Sequence, residues 1–312
     1  MNSAIEIAAA VKSGQTTARQ IVEQCLDRIH RENGPVNAFV YLDEQGALEA
    51  ADALDRRIES GEETGPLAGV PFGVKDLRDK VAGMPMRNGS LITENAEPDK
   101  EDSPQIARLK DAGAIAVGKV ATAEFGLDGV THTLLAGTTR NPWNLQRTPS
   151  GSSGGSSAAV AAGLVPLATG GDGLGSIRCP AGFTGMVGLK PSLGRIPRND
   201  GFADTSCPGA ITTTVADTAR YLDVVAGPDD RDRMTRAMAA GALGRVAASE
   251  SAATLRSVYN RDDASVRPFA AVSGGWYRNR VVGYRTYLTG PYNASVNTLG
   301  VAGRLGLRLG LF

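Results

Sequence analysis

The sequence predicts an α/β fold, and its alternation of short apolar runs with helical segments supports this. Val70 to Lys75 has the length and apolar character of a buried strand. A helix is predicted from Ser103-Pro104 to about Ala112, and Ile115 to Val117 is predicted as the next strand. The chain has 312 residues, of which 42% are apolar and 21% charged. This composition is ordinary for a globular protein, and the length suits one large domain or two small ones.

The first sixty residues carry two predicted helices. Thr16 or Thr17 can cap a helix whose apolar side chains recur at helical spacing, and Asn33-Gly34-Pro35 is predicted to end it. A second helix is predicted from about Glu44 to Ser60, with Gly61 following its end.

The middle of the chain, residues 150–188, is dense in glycine. A helix is predicted from about Gly155 to Gly163, and a strand from Leu164 to Ala168 is predicted to lead into a second glycine-rich loop. A further helix is predicted from about Val215 to Val225, with Thr214 as its cap. No element is assigned beyond residue 231, because the periodicity is weak there.

Charge divides the chain into two predicted parts. Residues 1–230 carry 21 basic and 29 acidic side chains, whereas residues 231–312 carry 12 basic and 4 acidic ones. All 12 basic residues of the second part are arginine, and the last lysine is Lys190. The sequence therefore predicts a domain over 1–230 and a tail of different composition over 231–312.

Composition also restricts the partners and the compartment. The net charge is formally zero, so no nucleic acid partner is expected. The start of the chain lacks a basic leader, and the longest uncharged stretch, Thr148 to Gly171, has the glycine and serine content of a loop followed by a helix. No membrane partner is therefore expected. Three cysteines without metal-ligand spacing, Cys25, Cys179 and Cys207, favour a reduced, cytoplasmic setting.

The chemistry is carried by Lys75, Ser152 and Ser176, each set in or beside glycine-rich sequence. A serine hydroxyl is a poor nucleophile until a base removes its proton. The chain has only two histidines, but a lysine held neutral by burial can act as the base. A second serine can relay the proton between them, because a hydroxyl both donates and accepts. Ser176 is then the predicted nucleophile, Ser152 the relay and Lys75 the base.

The loop before Ser176 is a predicted oxyanion hole. A tetrahedral intermediate needs backbone N–H donors, and glycine allows the main chain to approach a substrate closely. Gly173, Leu174, Gly175 and Ser176 are the predicted donors, and the loss of one such donor typically costs about 2.7–4 kcal/mol. Asp172 and Arg178 are predicted to form a structural ion pair or to cap loop amides, and so to support the loop.

Each segment also has a structural interpretation when taken alone. Residues 150–157 have the composition of a flexible linker, and they lack the lysine-Ser/Thr ending of a phosphate-binding P-loop. Lys75 alone is typical of a solvated surface charge. Glu124 and Lys119 are expected to be structural or rim groups, and His132 is expected to be a polar loop side chain, with a pocket residue as the alternative.

Taken together, the segments resemble the amidase signature family. The resemblance rests on Gly151-Ser152-Ser153-Gly154-Gly155-Ser156, on the 24-residue step from Ser152 to Ser176, and on Gly175-Ser176-Ile177-Arg178. Gly69 to Asp76 is similar to the family's lysine segment. Asn141-Pro142-Trp143-Asn144 and Gly185 to Pro191 match flanking patterns. Several motifs in the right order make the resemblance specific, and it covers residues 1–230.

The resemblance implies a mixed central sheet covered by helices on both sides, incomplete at its C-terminal end if the tail does not contribute. It implies a Ser–Ser–Lys triad of Ser176, Ser152 and Lys75, an acyl-enzyme on Ser176, and a cis peptide bond before Ser152. Ser153 is carried over as a supporting residue of the same motif. No metal or organic cofactor is implied.

The sequence departs from the family pattern at three places. Leu174 stands where a glycine is usual, and a positive φ there would cost roughly 1–2 kcal/mol. Met86 and Arg87 stand where small hydroxyl residues are common, which would reshape the pocket. The tail does not resemble the family, and its abrupt change of composition raises the hypothesis of an altered or truncated reading frame, or of a divergent terminus.

Three functions remain open at this point. The first is an amidase that hydrolyses a carbon–nitrogen bond in a small linear amide. The second is an amidotransferase subunit that works with partners on aminoacyl-tRNA and takes ammonia from glutamine. The third is a truncated, non-catalytic member of the family. The sequence does not identify the amide, and it leaves a homo-oligomer open.

Overall fold

The computed structural model describes residues 2–198 and 206–229. The predicted tail, 231–312, lies outside the described residues, and so does the boundary at residue 230. Within the described part, helices flank a six-stranded mixed sheet, which confirms the predicted fold class.

The N-terminal helices begin at capping boxes. In α1 (Ala4–Lys12) the Ser3 hydroxyl accepts from the Glu6 N–H, and in α2 (Ala18–Val36) the Thr17 hydroxyl accepts from the Gln20 N–H. The predicted end of α2 was wrong by a few residues. Gly34 and Pro35 lie in its last turn, and the helix ends where Asn37 adopts a left-handed backbone with φ of 54°.

The central strands place the predicted lysine. Strand β2 (Pro71–Lys75) pairs in parallel with β3 (Ile115–Val120) on one side and with β6 (Leu167–Asp172) on the other. All five residues of β2 are buried, as expected for a strand with neighbours on both sides. The carboxyl ends of these three strands meet at one edge of the sheet, where Lys75 lies.

Strand β6 begins and ends later than predicted. The chain turns at Leu164 to Pro166, and the strand then continues through Gly170 and Gly171 to Asp172. The reason is its antiparallel partner β8 (Cys207–Thr212), which pairs along its whole length from Leu167 opposite Thr212 to Asp172 opposite Cys207. Strand β8 is absent from the sequence-based predictions, so nothing indicated that the glycines belong to a strand.

Two further strands complete the sheet, β1 (Phe39–Leu42) and β7 (Val187–Leu189). The strand order is β1-β3-β2-β6-β8-β7, and β1, β8 and β7 join the sheet by antiparallel pairing. The remaining elements have the following bounds: α3 (Glu44–Glu59), α4 (Pro104–Asp111), the hairpin strands β4 (His132–Thr133) and β5 (Gly137–Thr138), α5 (Gly154–Ala161), α6 (Arg178–Thr184) and α7 (Val215–Val225), with single 3₁₀ turns at Leu91–Thr93 and Glu124–Gly126.

Candidate active site

Lys75 ends β2 and is buried, with 1% of its surface exposed. Its Nζ donates to Ser152 Oγ at 2.7 Å, so the fold brings together two of the three predicted catalytic residues, one at the end of a strand and one in the loop before α5. The pKa of Lys75 is lowered from 10.5 to about 7: burial is the largest cause and the charge of Arg78 acts in the same direction, while Asp79 and Asp172 oppose the fall. Near neutral pH this amine is therefore in part a neutral base.

The segment around Ser152 is packed, which rules out a flexible linker. Ser152 and Ser153 have 2% and 0% of their surface exposed. The Gly151–Ser152 peptide bond is cis, as the resemblance implied. Glycine is required at Gly155, because a Cβ there would lie 2.3 Å from the backbone nitrogen of Ala121. This close approach fixes the start of α5, and with it the position of Ser152.

Asp172 organises the loop that carries Ser176. Its carboxylate accepts from the backbone N–H groups of Gly175 at 2.7 Å, Ile177 at 3.3 Å and Arg178 at 3.2 Å. The Arg178 guanidinium donates to both oxygens, at 2.8 and 2.9 Å, so the expected ion pair is present. Burial acts to raise the pKa of Asp172, but these hydrogen bonds outweigh it and lower the pKa to about 2.

The predicted oxyanion donors fall into two groups. The Gly175 N–H is directed at Asp172, which does not fit its predicted role as a donor to substrate. Within the described residues, the N–H groups of Gly173, Leu174 and Ser176 have no acceptor. The expected strain at Leu174 is absent, because its φ is not positive; Gly175 takes the left-handed conformation instead, with φ of 117°.

Ser176 and Ser152 line one cavity of about 210 Å³ together with Lys75. The two serine segments are joined by the Ser153 N–H, which donates to the Ser176 carbonyl at 3.2 Å. Among the described residues the Ser176 hydroxyl has no hydrogen-bond partner, so the direct bond from Ser176 to Ser152 that a relay requires is not closed here.

Apolar side chains form part of the cavity wall: Leu77, Phe125, Leu127 and Leu174. Leu174 is 98% exposed to solvent, so it stands at the mouth of the cavity and not in a packed core. Met86 and Arg87, which were expected to reshape the pocket, are not among the described residues that line this cavity. The Arg87 guanidinium donates to the Val40 carbonyl at 2.6 Å and lies over the Tyr41 ring.

The polar residues His132, Glu124 and Lys119 have structural partners. His132 lies in β4, exposed, with its Nδ1 2.7 Å from Thr138 Oγ1. Glu124 accepts from Ser90 Oγ at 2.6 Å, and Lys119 is fully buried. None of the three lines the cavity in the part of the chain that the structure describes.

Three residues next to Lys75 were not predicted from the sequence: Asp79, Gln105 and Thr169. Asp79 and Gln105 line the cavity, and the Thr169 hydroxyl accepts the Lys75 backbone N–H at 3.0 Å. The available signal was Asp79 itself, an acidic residue four positions after a lysine that ends an apolar run. Its burial could not be seen from the sequence.

Curated relatives match about three quarters of the chain. It is 43% identical over 233 residues to a glutamyl-tRNA(Gln) amidotransferase subunit from Acidothermus cellulolyticus, covering 74% of this chain and 46% of that protein. It is also 43% identical over 242 residues to an acylamidase from Rhodococcus erythropolis, covering 75% of this chain and 49% of that protein. The chain thus spans about half the length of these relatives.

Solved structures show the same fold. A peptide amidase from Stenotrophomonas maltophilia aligns with a TM-score of 0.69 and 35% identity, over 74% of this chain and 49% of its own. A bacterial aryl acylamidase of the amidase signature family aligns with a TM-score of 0.71 and 27% identity, over 99% of this chain and 75% of its own.

Among the described helices, none has both the length and the apolar character needed to cross a membrane.

The Amidase family model matches residues 20–267, which is most of the chain. This match agrees with the lysine strand, the buried serine segment and the glycine loop described above. The chain belongs to the amidase signature family.

Proposed function

We propose that this chain is an amidase, which hydrolyses the carbon–nitrogen bond of a small linear amide through an acyl-enzyme on Ser176. The observation that carries the proposal is the 2.7 Å bond from Lys75 Nζ to Ser152 Oγ, at the wall of a cavity that Ser176 also lines. The lowered pKa of Lys75 supports the role of base, because an amine must be neutral to accept a proton.

The proposed acylation step moves one proton along the three residues. Ser176 Oγ attacks the amide carbon and gives its proton to Ser152 Oγ, and the Ser152 proton passes to neutral Lys75 Nζ. The carbonyl oxygen becomes an oxyanion that accepts from the N–H groups of Gly173, Leu174 and Ser176. When the carbon–nitrogen bond breaks, the leaving nitrogen takes a proton back through Ser152. A water then cleaves the acyl-serine by the same route.

Labelling with a fluorophosphonate, mapped by peptide mass spectrometry, tests the proposal without knowledge of the substrate. We expect the label on Ser176, none in Ser176→Ala, almost none in Lys75→Ala and a trace in Ser152→Ala, where a water can relay the proton. Ser206→Ala is the matched control, since Ser206 lines the same cavity and has no proposed role. Labelling at another serine, or full labelling of Ser176→Ala, would refute the assignment.

A second candidate is a subunit of an amidotransferase that modifies aminoacyl-tRNA, and the relatives named as glutamyl-tRNA(Gln) amidotransferase subunits support it. They match this chain at the same identity as the acylamidase. Ammonia release from glutamine and the co-purification of further subunits would favour this candidate. Release of an amine from simple amides, without any activity on glutamine, would favour the amidase.

The third candidate is a non-catalytic member of the family. The same labelling separates it from the other two. A chain that unfolds cooperatively yet takes up no label would favour it.

A further inference from the structure

A buried carboxylate lies beside the proposed base. Asp79 has 7% of its surface exposed and lines the same cavity as Lys75. The Thr169 hydroxyl donates to its Oδ2 at 2.7 Å, and Gln105 Nε2 donates to its Oδ1. Both carboxylate oxygens therefore have partners on two other elements, the strand β6 and the helix α4.

The direction of each hydrogen bond in this cluster is fixed by the next one. Tyr221, on α7, donates its hydroxyl to Gln105 Oε1 at 2.7 Å, so the NH₂ end of that amide faces Asp79. Thr169 Oγ1 accepts the Lys75 backbone N–H, which leaves its own hydrogen for Asp79. Both groups that meet Asp79 are donors, and an ionised carboxylate only accepts. Burial raises the pKa of Asp79 above its ordinary value, and these two hydrogen bonds, together with the charges of Lys119 and Lys75, act against that rise.

The polar and charged groups around Asp79 come from several of the strands and helices packed against it. Lys75 approaches from β2, and Lys119, on β3, donates its Nζ to the Asp79 backbone carbonyl at 2.6 Å. Gln105 on α4 is neutral, and the Tyr221 phenol on α7 has a raised pKa through its burial and through Asp79. Lys75 itself is also reached by Arg78 and by Asp172 of β6.

We propose that Asp79 is a positioning residue for Lys75, which holds the end of β2 through Thr169 and keeps a negative charge beside the amine. The inference rests on the proposed role of Lys75 as base. Two effects oppose each other at Lys75: burial makes the amine a weaker base, and the charge of Asp79 makes it a stronger one. Without the carboxylate, the Lys75 amine would bind its proton less well. Thr169, which accepts the Lys75 backbone N–H, would also lose the group to which its own hydroxyl donates.

The test is a pH titration of the Lys75 side chain, read by NMR on the full chain with ¹³C-labelled lysine. The Lys75 signal is identified by its loss in Lys75→Met. We expect Asp79→Asn to lower the titration midpoint by about one pH unit or more. The matched control is Asp76→Asn, because Asp76 is also a buried carboxylate, accepts the Arg87 N–H at 2.8 Å and acts on Lys119 instead. It should leave the Lys75 midpoint unchanged.

An unchanged or raised midpoint in Asp79→Asn, or an equal fall in Asp76→Asn, would overturn the proposal. The NMR readout does not need enzymatic activity, so the two proposals can fail separately. A wild-type chain that takes no fluorophosphonate, but whose Lys75 responds to Asp79→Asn, would refute the proposed function and support the positioning role.

A second pair of variants serves if Asp79→Asn does not unfold cooperatively. Thr169→Val keeps the shape of the side chain and removes the hydroxyl that joins Asp79 to Lys75, whereas Thr169→Ser keeps the hydroxyl. We expect Thr169→Val to lower the Lys75 midpoint and to slow labelling, and Thr169→Ser to restore both. Identical behaviour of the two variants would contradict the inference.

Discussion

Replacing Lys75 by methionine should stabilise the protein at low pH while abolishing its labelling. In the unfolded chain the Lys75 amine has its ordinary pKa of 10.5, whereas burial lowers the pKa to about 7 in the folded chain. Below pH 7 the folded state must hold a charge away from water. The gap between the two pKa values corresponds to a destabilisation of about 5 kcal/mol.

The sign follows from proton counting. Between pH 7 and 10.5 the unfolded chain binds more protons at Lys75 than the folded chain, so stability rises with pH across this window. From pH 6 to pH 9 the wild-type protein should gain about 3 kcal/mol through this one residue. Lys75→Met has no titrating group there and should lack that gain.

The assay is urea unfolding of both proteins at pH 6 and pH 9, followed by circular dichroism. Comparing the change in stability between the two pH values isolates the titration of Lys75, because contributions that do not depend on its protonation state cancel. Lys12→Met is the matched control, because Lys12 is exposed at the end of α1. If Lys75→Met and wild type changed equally between pH 6 and pH 9, Lys75 would not be a desolvated amine and the reasoning would fail.

Three further predictions concern the packing around the site. Gly155→Ala should lower the free energy of unfolding by about 1–3 kcal/mol or more, because the added Cβ would lie 2.3 Å from the backbone nitrogen of Ala121. Gly34→Ala is the control: it has open space around it and should leave the free energy of unfolding unchanged or raise it by up to about 1 kcal/mol. Urea unfolding compares the two variants. Leu174→Gly should change the free energy of unfolding by less than about 0.5 kcal/mol, since the Leu174 side chain is exposed and its φ is not positive. A larger stabilisation of this variant in thermal melts would show that the Leu174 backbone is strained. The pKa of Asp172 is about 2 in the folded chain and 3.8 ordinarily, so its carboxylate contributes stability above pH 3.8 that is lost as the pH falls through about 2. Asp172→Asn should remove that part of the acid transition, as measured by melting temperatures between pH 2 and 5.

The helices were the easiest elements to predict, because their signals are local. Thr214, for example, is followed by a helix with spaced apolar residues, and its hydroxyl accepts the Asp217 N–H at 3.0 Å. The capping box of α1, formed by Ser3 and Glu6, is likewise a local signal in the sequence. The strand β8 was missed for a physical reason: it takes its place from antiparallel pairing with β6 and β7, and a partner strand is not a local property.

The sequence by itself determined the family resemblance and the identities of Lys75, Ser152 and Ser176, because residue type and order along the chain carry that information. The tertiary structure alone decided that Lys75 is buried against Ser152, that the Gly175 amide belongs to Asp172, and that Asp79 lies next to the lysine. Desolvation and hydrogen-bond direction depend on what surrounds a group in space. Around Asp79 those surroundings come from strands and helices that are up to about 140 residues apart in the chain.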